Sequence, residues 1–241
     1  MAKTSGQEFL NILCGSSTVE GLTDRNPEDS RYRATMLGWL NLVLKDIQNR
    51  QQGWHWRWLE KTATASTVAG QHSYDLPDDI DTNKMFALYD RTKDNTYTFV
   101  PYDRFVRLFP DPSNEKGTPR WWTFWANTIR LYPVPASAFT FYLDYIKNIT
   151  LLTDDASSTT DVPEKFDEVI IDGALVYAYR FDPSLGDWKS QQQLYEAGIQ
   201  KMINDNRMMI NELAESESHR LKRGRNLIDG RNSLYFPMPN L

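Results

Sequence analysis

Hydrophobic residues recur every three or four positions in two stretches near the N-terminus, which predicts two amphipathic helices. The first runs from Thr4 to Leu13. The second begins at Asn26-Pro27, where a capping residue precedes a proline suited to the first helical turn, and it ends near Gln52-Gly53. Its apolar face consists of Met36, Leu37, Leu40, Val43, Leu44 and Ile47. Residues 1–52 are therefore predicted to be the first part of a helical body.

The pattern changes over residues 53–153, where short apolar runs alternate with turn-forming residues. The expected strand pairs are 62–67 with 73–76, 85–89 with 97–100, and 121–125 with 128–132, followed by a strand at 139–145. Ala126-Asn127 is the tight turn of the third pair, and residues 102–109 form a short helical or irregular segment. Strands at this spacing predict an inserted antiparallel β-sandwich or barrel-like domain.

Helical spacing returns after a polar linker at 154–161. A third helix opens at Val162-Pro163 and closes at Asp182-Pro183, and a long fourth helix runs from Gly186-Asp187 to about His219. Residues 154–219 are then the second part of the helical body, and residues 220–241, which have no period, form an extended tail. The predicted fold class is α+β, with a helical bundle body, an inserted β domain and a C-terminal tail.

The charge and composition of the chain exclude several classes of function. A formal net charge of -5 argues against a dedicated nucleic-acid-binding protein, which needs a concentrated basic face. A single cysteine, Cys14, indicates a protein that folds in a reducing cytoplasm without disulfides. The N-terminus lacks the apolar core of a signal peptide, and no apolar run approaches the roughly 20 residues that span a bilayer. We therefore expect a soluble protein with no membrane contact.

Two features could carry chemistry, and both have a structural explanation. The Trp-rich runs at 54–58 and 121–125 could stack on sugars or bases, or could form the core of the β domain and its junction with the helices. Acidic groups at Asp78-Asp79, at Asp154-Asp155, and at Glu164 with Asp167 and Glu168 could be a glycosidase pair, or helix caps and solvated charge. The three histidines are scattered, and phosphate-binding glycine loops are absent from the sequence. We expect no enzyme activity, cofactor or metal; a carbohydrate-binding or cell-wall-degrading protein is the alternative.

The C-terminal region combines charge with exposed apolar residues. The cations Arg220, Lys222, Arg223 and Arg225 could contact DNA phosphates or an acidic protein surface, or could complement the dipole at a helix end. Beyond them, Leu234, Tyr235 and Phe236 lie in a segment without period, where an aromatic pair is costly unless a partner buries it. We predict that these seven residues dock on a partner protein.

Several short motifs resemble one family. These are Trp54-x-Trp56-x-Trp58-Leu59, the run from Tyr74 to Asp79, the run from Ile129 to Pro135, and Leu151 to Asp155 followed by Val162-Pro163. They are similar to motifs in the head-to-tail adaptor proteins of short-tailed bacteriophages. The resemblance implies a dodecameric ring in the virion, assembled in the host cytoplasm and seated under the portal protein. The helical body would form the wall of the ring, and the β domain would face outward or toward tail or nozzle proteins. The C-terminal tail would extend onto the portal and bind it.

A ring around the genome exit implies a channel that double-stranded DNA passes without specific binding. Acidic side chains repeated by symmetry would repel the DNA backbone and let it slide. The third helix is the predicted lumen wall, with Glu164, Asp167, Glu168 and Asp172 facing the channel. Alternatively, these acids cap the helix start and face solvent or a neighbouring subunit.

Overall fold

The computed structural model describes residues 3–14, 30–50, 55–92, 94–111 and 115–228, with the side chains of 30, 82, 83 and 209–228 outside the description. The predicted helix start at Asn26-Pro27 and the docking residues Leu234, Tyr235 and Phe236 lie outside the described residues. Within the described part, helices and strands both occur in number, and the predicted mixed α+β class is confirmed.

Five α-helices are present in the described part of the chain: α1 (Gly6–Cys14), α2 (Ser30–Asn49), α3 (Tyr102–Leu108), α4 (Asp167–Phe181) and α5 (Trp188–Ile228). The first turn of α1 is capped reciprocally. The Glu8 amide donates to Ser5 Oγ at 3.2 Å, and the Ser5 amide donates to the Glu8 carboxylate at 2.7 Å. Single 3-10 turns, Arg57–Leu59 and Glu164–Phe166, precede the first strand and α4.

The strands are β1 (Glu60–Ser66), β2 (Ser73–Asp75), β3 (Ile80–Asp90), β4 (Asn95–Phe99), β5 (Lys116–Gly117), β6 (Trp121–Trp125), β7 (Thr128–Tyr132), β8 (Val134–Pro135) and β9 (Thr140–Lys147). Seven of them form one curled sheet, a half-barrel, in the order β1-β9-β3-β4-β6-β7-β2, while β5 and β8 form a separate short pair. Neighbours in the curled sheet are antiparallel except β4 and β6, which are parallel. Of the two predicted forms, the curled sheet is closer to the barrel-like domain than to the sandwich, and the expectation of antiparallel pairing fails only between β4 and β6 among the described strands.

Two of the three predicted strand pairs are confirmed. Leu88 pairs with Tyr97 across β3 and β4, and Trp122 pairs with Leu131 across β6 and β7. Ala126 and Asn127 form the turn of the second hairpin with φ of 50° and 60°, as a two-residue hairpin turn requires. The predicted pairing of 62–67 with 73–76 is wrong, because β1 pairs with β9 and β2 pairs with β7. Alternation within a strand encodes which face is buried, not which strand lies beside it.

The chain has two hydrophobic clusters. The larger one joins α1, α2, α4 and α5, and it includes Leu59, from the 3-10 turn before β1, and Ile146, near the end of β9. The helices approach closely at Gly173, where a Cβ atom would lie 2.7 Å from Val43 Cγ1 and 2.9 Å from Tyr195 Cε2. The smaller cluster fills the concave side of the sheet with Tyr74, Leu76, Ile80, Leu88, Tyr97, Trp122, Ile129, Leu131, Phe141, Leu143 and Tyr145. The helices on either side of the insertion therefore share one core.

The last helix differs from its predicted bounds. It continues to Ile228 instead of ending near His219, so the backbone of residues 220–228 is helical and not extended. The reason lies in local propensity: Leu221, Lys222 and Arg223 are good helix formers, and the single Gly224 costs too little to stop the helix. At a rise of about 1.5 Å per residue, a helix of 41 residues is about 60 Å long.

Candidate functional site

The four acids predicted to line a channel lie in consecutive turns at the start of α4. Glu164 and Glu168 are exposed, whereas Asp167 and Asp172 are half-buried. Two of them, Asp167 and Glu168, lie in the first turn of α4, where a carboxylate complements the helix dipole. All four residues lie on one segment of the chain. Glu164 and Glu168 point to solvent, whereas Asp167 and Asp172 contact other parts of the chain.

The two half-buried carboxyls have perturbed ionisation. Burial raises the pKa of Asp167; a hydrogen bond with Thr4 opposes the rise, and repulsion from Glu164 adds to it. Burial also raises the pKa of Asp172, although Gln191 Nε2 donates a hydrogen bond to its Oδ1 at 2.8 Å. The negative charge on these two residues therefore costs folding energy at neutral pH, whereas Glu164 and Glu168 present theirs to solvent.

Replacing Asp172 by asparagine should raise the melting temperature at pH 7. The amide keeps an oxygen for Gln191 and removes a charge that burial disfavours. Because the folded pKa of Asp172 lies above its ordinary 3.8, acid protonates the folded wild type first, and the advantage of the variant should shrink as the pH falls through that pKa. Thermal unfolding between pH 7 and pH 3 would measure this, with the exposed Asp78→Asn as control. A variant less stable than wild type at pH 7 would contradict the assignment.

Two tryptophans of the Trp-rich runs, Trp56 and Trp122, are core residues. Trp56 is fully buried, its Nε1 donates to the Ile47 carbonyl at 2.8 Å, and its ring stacks on Trp58 with centroids 5.4 Å apart. Trp122 is buried in the sheet, and its Nε1 donates to the Tyr97 carbonyl at 3.2 Å. Residues 57–59 form a 3-10 turn that precedes β1, so Trp58 does not lie on a strand. This burial does not favour the carbohydrate-binding alternative.

The acidic pairs are held by cations and hydroxyls. Asp79 accepts hydrogen bonds from Lys61 Nζ and the Tyr145 hydroxyl, both at 2.7 Å. Burial works against ionisation of Asp79, but these two hydrogen bonds prevail and lower its pKa. Asp154 receives two bonds from the Arg33 guanidinium, at 2.7 and 2.9 Å, which lower its pKa as well. A general acid needs a raised pKa, so the geometry of these carboxyls favours a structural role.

A cleft of about 530 Å³ lies where the sheet meets the helical core. It is lined by His55, Glu60, Lys61, Thr62, Phe86, Asp144 and Tyr145. Its polar groups bond to one another or to close neighbours: His55 Nε2 lies 2.9 Å from Glu60 Oε1, and Thr62 Oγ1 donates to Asp144 at 2.6 Å. Among the described residues, no group of three or more His, Cys, Asp and Glu could hold a metal ion.

Polar side chains of α2 hold the segment that returns from the sheet. Asn41 Nδ2 donates to the Leu152 carbonyl at 3.0 Å, and the Leu152 amide donates to Asn41 Oδ1 at 2.8 Å. The Ile149 amide donates to Gln48 Oε1 at 3.0 Å. Sequence reasoning missed these residues; the available signal was an amide side chain, Asn41, set between Leu40 and Leu42 in an apolar stretch.

Two further contacts tie α5 to the elements around it. The buried Asn206 accepts from the Arg57 amide at 3.1 Å and donates to the His55 carbonyl at 3.0 Å, so it holds the entry to β1. Arg50 bridges Asp46 at 3.0 Å and Glu196 at 2.8 Å, which links α2 to α5. Together with the α2 contacts, these bonds fix how the sheet and the helices are joined.

The predicted docking cluster can be placed only in part. Arg220, Lys222, Arg223 and Arg225 fall on the last turns of α5, and their side chains lie outside the described residues. No helix in the described part of the chain is both long and apolar enough to cross a membrane.

Comparison with protein families matches residues 17–219 to the family described as SU10 adaptor protein. The match covers most of the 241-residue chain, including the curled sheet, α4 and most of α5. A search of curated proteins finds no match.

Proposed function

Because this chain belongs to the SU10 adaptor protein family, a family of phage structural adaptors, we propose that it acts as a head-to-tail adaptor that joins the portal to the tail. The observation that carries the proposal is the family match over residues 17–219. The joints made by Asn41, Arg50 and Asn206 support it, since a connecting protein must hold its parts in a set orientation. The role is structural and needs no catalytic residue or cofactor.

In this proposal the protein forms a closed ring, a dodecamer, at the head-tail interface of the virion. The ring assembles in the host cytoplasm, sits beneath the portal and meets tail or nozzle proteins on its other side. The helical core forms the wall, and residues 220–241 dock on the portal through Arg220, Lys222, Arg223, Arg225, Leu234, Tyr235 and Phe236.

The ring continues the DNA exit channel, and α4 lines it. The exposed Glu164 and Glu168 carry the repulsion, because their charges face solvent, while Asp167 and Asp172 add to the field from half-buried positions. Double-stranded DNA then passes without specific binding, in keeping with a net charge of -5.

Native mass spectrometry of the purified chain, alone and mixed with purified portal rings, would test the assembly. We expect a single closed oligomer, with twelve copies when it is seated on the portal. A chain that remains monomeric under both conditions would contradict the proposed ring. Electron microscopy of virions would then place the oligomer at the head-tail interface or elsewhere.

Reversing the channel charge should slow genome ejection. Glu164→Lys with Glu168→Lys puts cations on an exposed face of every copy, and they would attract the DNA backbone; we expect ejection to slow about tenfold or more. Dye-monitored ejection from phage particles would measure the rate. Asp155→Lys, a charge reversal at an exposed residue of the polar linker, is the control. Equal ejection rates for the double variant and the control would contradict the channel assignment.

A further inference from the structure

An aromatic and arginine-bearing surface lies on the convex side of the sheet, where α3 packs over β6 and β7. The helix buries Phe105 beneath it, and Phe109 stacks on Tyr132 with ring centroids 3.8 Å apart. At its other end, Tyr102 stacks on Trp125 at 4.1 Å with the rings 13° from parallel. The outward-facing part, which we call the α3 surface, consists of Tyr102, Asp103, Arg104, Val106, Arg107, Leu108 and Trp125, so its two arginines outnumber one carboxylate.

The α3 surface leaves large apolar groups in water. The exposed fractions are 42% for Val106, 53% for Leu108 and 50% for Trp125, and the intervening Arg104 and Arg107 are exposed. Exposed apolar side chains in company with tryptophan, tyrosine and arginine are typical of the energetically important part of a protein interface.

The surface is also held in place before any partner arrives. Trp125 is held by its stack on Tyr102 and by its position next to the two-residue turn. Tyr102 is held in turn by Arg130, whose guanidinium carbon lies 5.4 Å from the ring centroid and whose Nη1 donates to the Tyr102 hydroxyl at 3.3 Å. Side chains already fixed lose little conformational entropy on binding, which favours association.

The net charge of the segment around α3 indicates the kind of partner that the α3 surface would bind. Residues 99–132 contain five Lys and Arg against three Asp and Glu, whereas the whole chain contains 27 against 32. The segment that carries α3 therefore has a net positive charge, whereas the remainder of the chain has a net negative charge. The remainder of a second copy is thus a partner of opposite charge. A closed ring of identical subunits also requires each copy to present two different surfaces that fit one another.

We propose that the α3 surface is a contact between copies of this chain, in which it docks on a carboxylate-bearing surface of the next copy. This inference rests on the proposed ring and assigns part of its subunit interface. Trp125 and Leu108 supply apolar contacts near the two ends of α3, and Arg104 and Arg107, which lie between them, pair with carboxylates of the next copy. Tail proteins, the portal and DNA are the competing occupants.

The test compares the oligomeric state of full-length variants by sedimentation velocity at several salt concentrations. Arg104→Glu with Arg107→Glu should weaken association at least about tenfold, and Trp125→Ala should do the same. Arg91→Glu reverses a charge that stacks over Tyr142 on another part of the sheet, so it should assemble like wild type. Circular dichroism and thermal unfolding would verify that every variant is folded; the double arginine variant changes only exposed side chains.

The outcomes separate this contact from the ring itself. Loss of assembly in the two α3 variants, with Arg91→Glu intact, supports the contact. Unchanged assembly in both variants overturns the contact and leaves the ring standing, whereas a monomeric wild type, alone and on portal rings, overturns the ring. Variants that assemble normally but no longer bind purified portal rings, tail protein or double-stranded DNA would assign the surface to that partner and would also overturn the inference.

Discussion

Replacing Trp56 by alanine is expected to destabilise the protein by about 3–5 kcal/mol, the range for removing a fully buried aromatic ring. Trp56 is fully buried in the helical core, at the point where the chain leaves α2 for the sheet. Its loss would also leave the Ile47 carbonyl without the indole donor at 2.8 Å and Trp58 without its stacking partner. Since native proteins are stable by roughly 5–15 kcal/mol, the substitution would remove a large part of the free energy of unfolding.

Urea unfolding followed by circular dichroism would measure the change. Trp56→Phe is the informative intermediate, because it retains most of the ring volume and removes the hydrogen bond, so it should cost clearly less than alanine. Trp125→Ala is the matched control at a half-exposed tryptophan. If Trp56→Ala cost no more than Trp125→Ala, Trp56 would not hold the junction between sheet and helices.

The second large effect concerns portal binding. A chain that ends at Arg220 should stay folded, because it keeps every described side chain of the helical core; among the described side chains, the last fully covered apolar one is Met202 and the last buried polar one is Asn206. It should nevertheless fail to bind the portal, since it lacks three of the four cations and the Tyr235-Phe236 pair. Each aromatic buried on a partner could contribute roughly 1.5–3 kcal/mol. Repetition around a closed ring would multiply the effect through avidity.

Sedimentation or native mass spectrometry with purified portal rings would measure the binding. Tyr235→Ala with Phe236→Ala should weaken binding more than the loss of a single cation in Arg223→Ala, because burial anchors the segment and charge mainly steers it. Binding of the shortened chain at wild-type strength would show that residues 221–241 have no part in docking.

Local signals in the sequence account for the elements themselves. The helical spacing of Leu40, Val43, Leu44 and Ile47 determines the buried face of α2, since only that stripe can be covered by α4 and α1. Ala126-Asn127 determines a hairpin, because both residues adopt positive φ between two strands. These features depend on residues within a few positions of each other, so they can be recognised without a structure.

Local patterns gave the wrong strand partner where pairing depends on distant residues. They also gave the wrong end of a helix where that end depends on small differences in helix propensity. The strand at Thr62 to Ser66 finds its partner in Thr140 to Asp144, far along the chain, and its own sequence does not say so. The helix α5 continues past Gly224 because the helix propensity of the neighbouring residues outweighs the cost of one glycine.

The α+β class, with strands between two helical regions, can be read from local patterns, because periodicity and turn chemistry act over short distances. Which side chains meet depends on how the whole chain packs. This packing buried Trp56 and left Trp125 half-exposed, although both lie in similar Trp-rich runs. It likewise made Asp172 half-buried while Glu168, one turn away, remained exposed. Burial is a property of the packed chain, since it depends on which distant elements cover each residue.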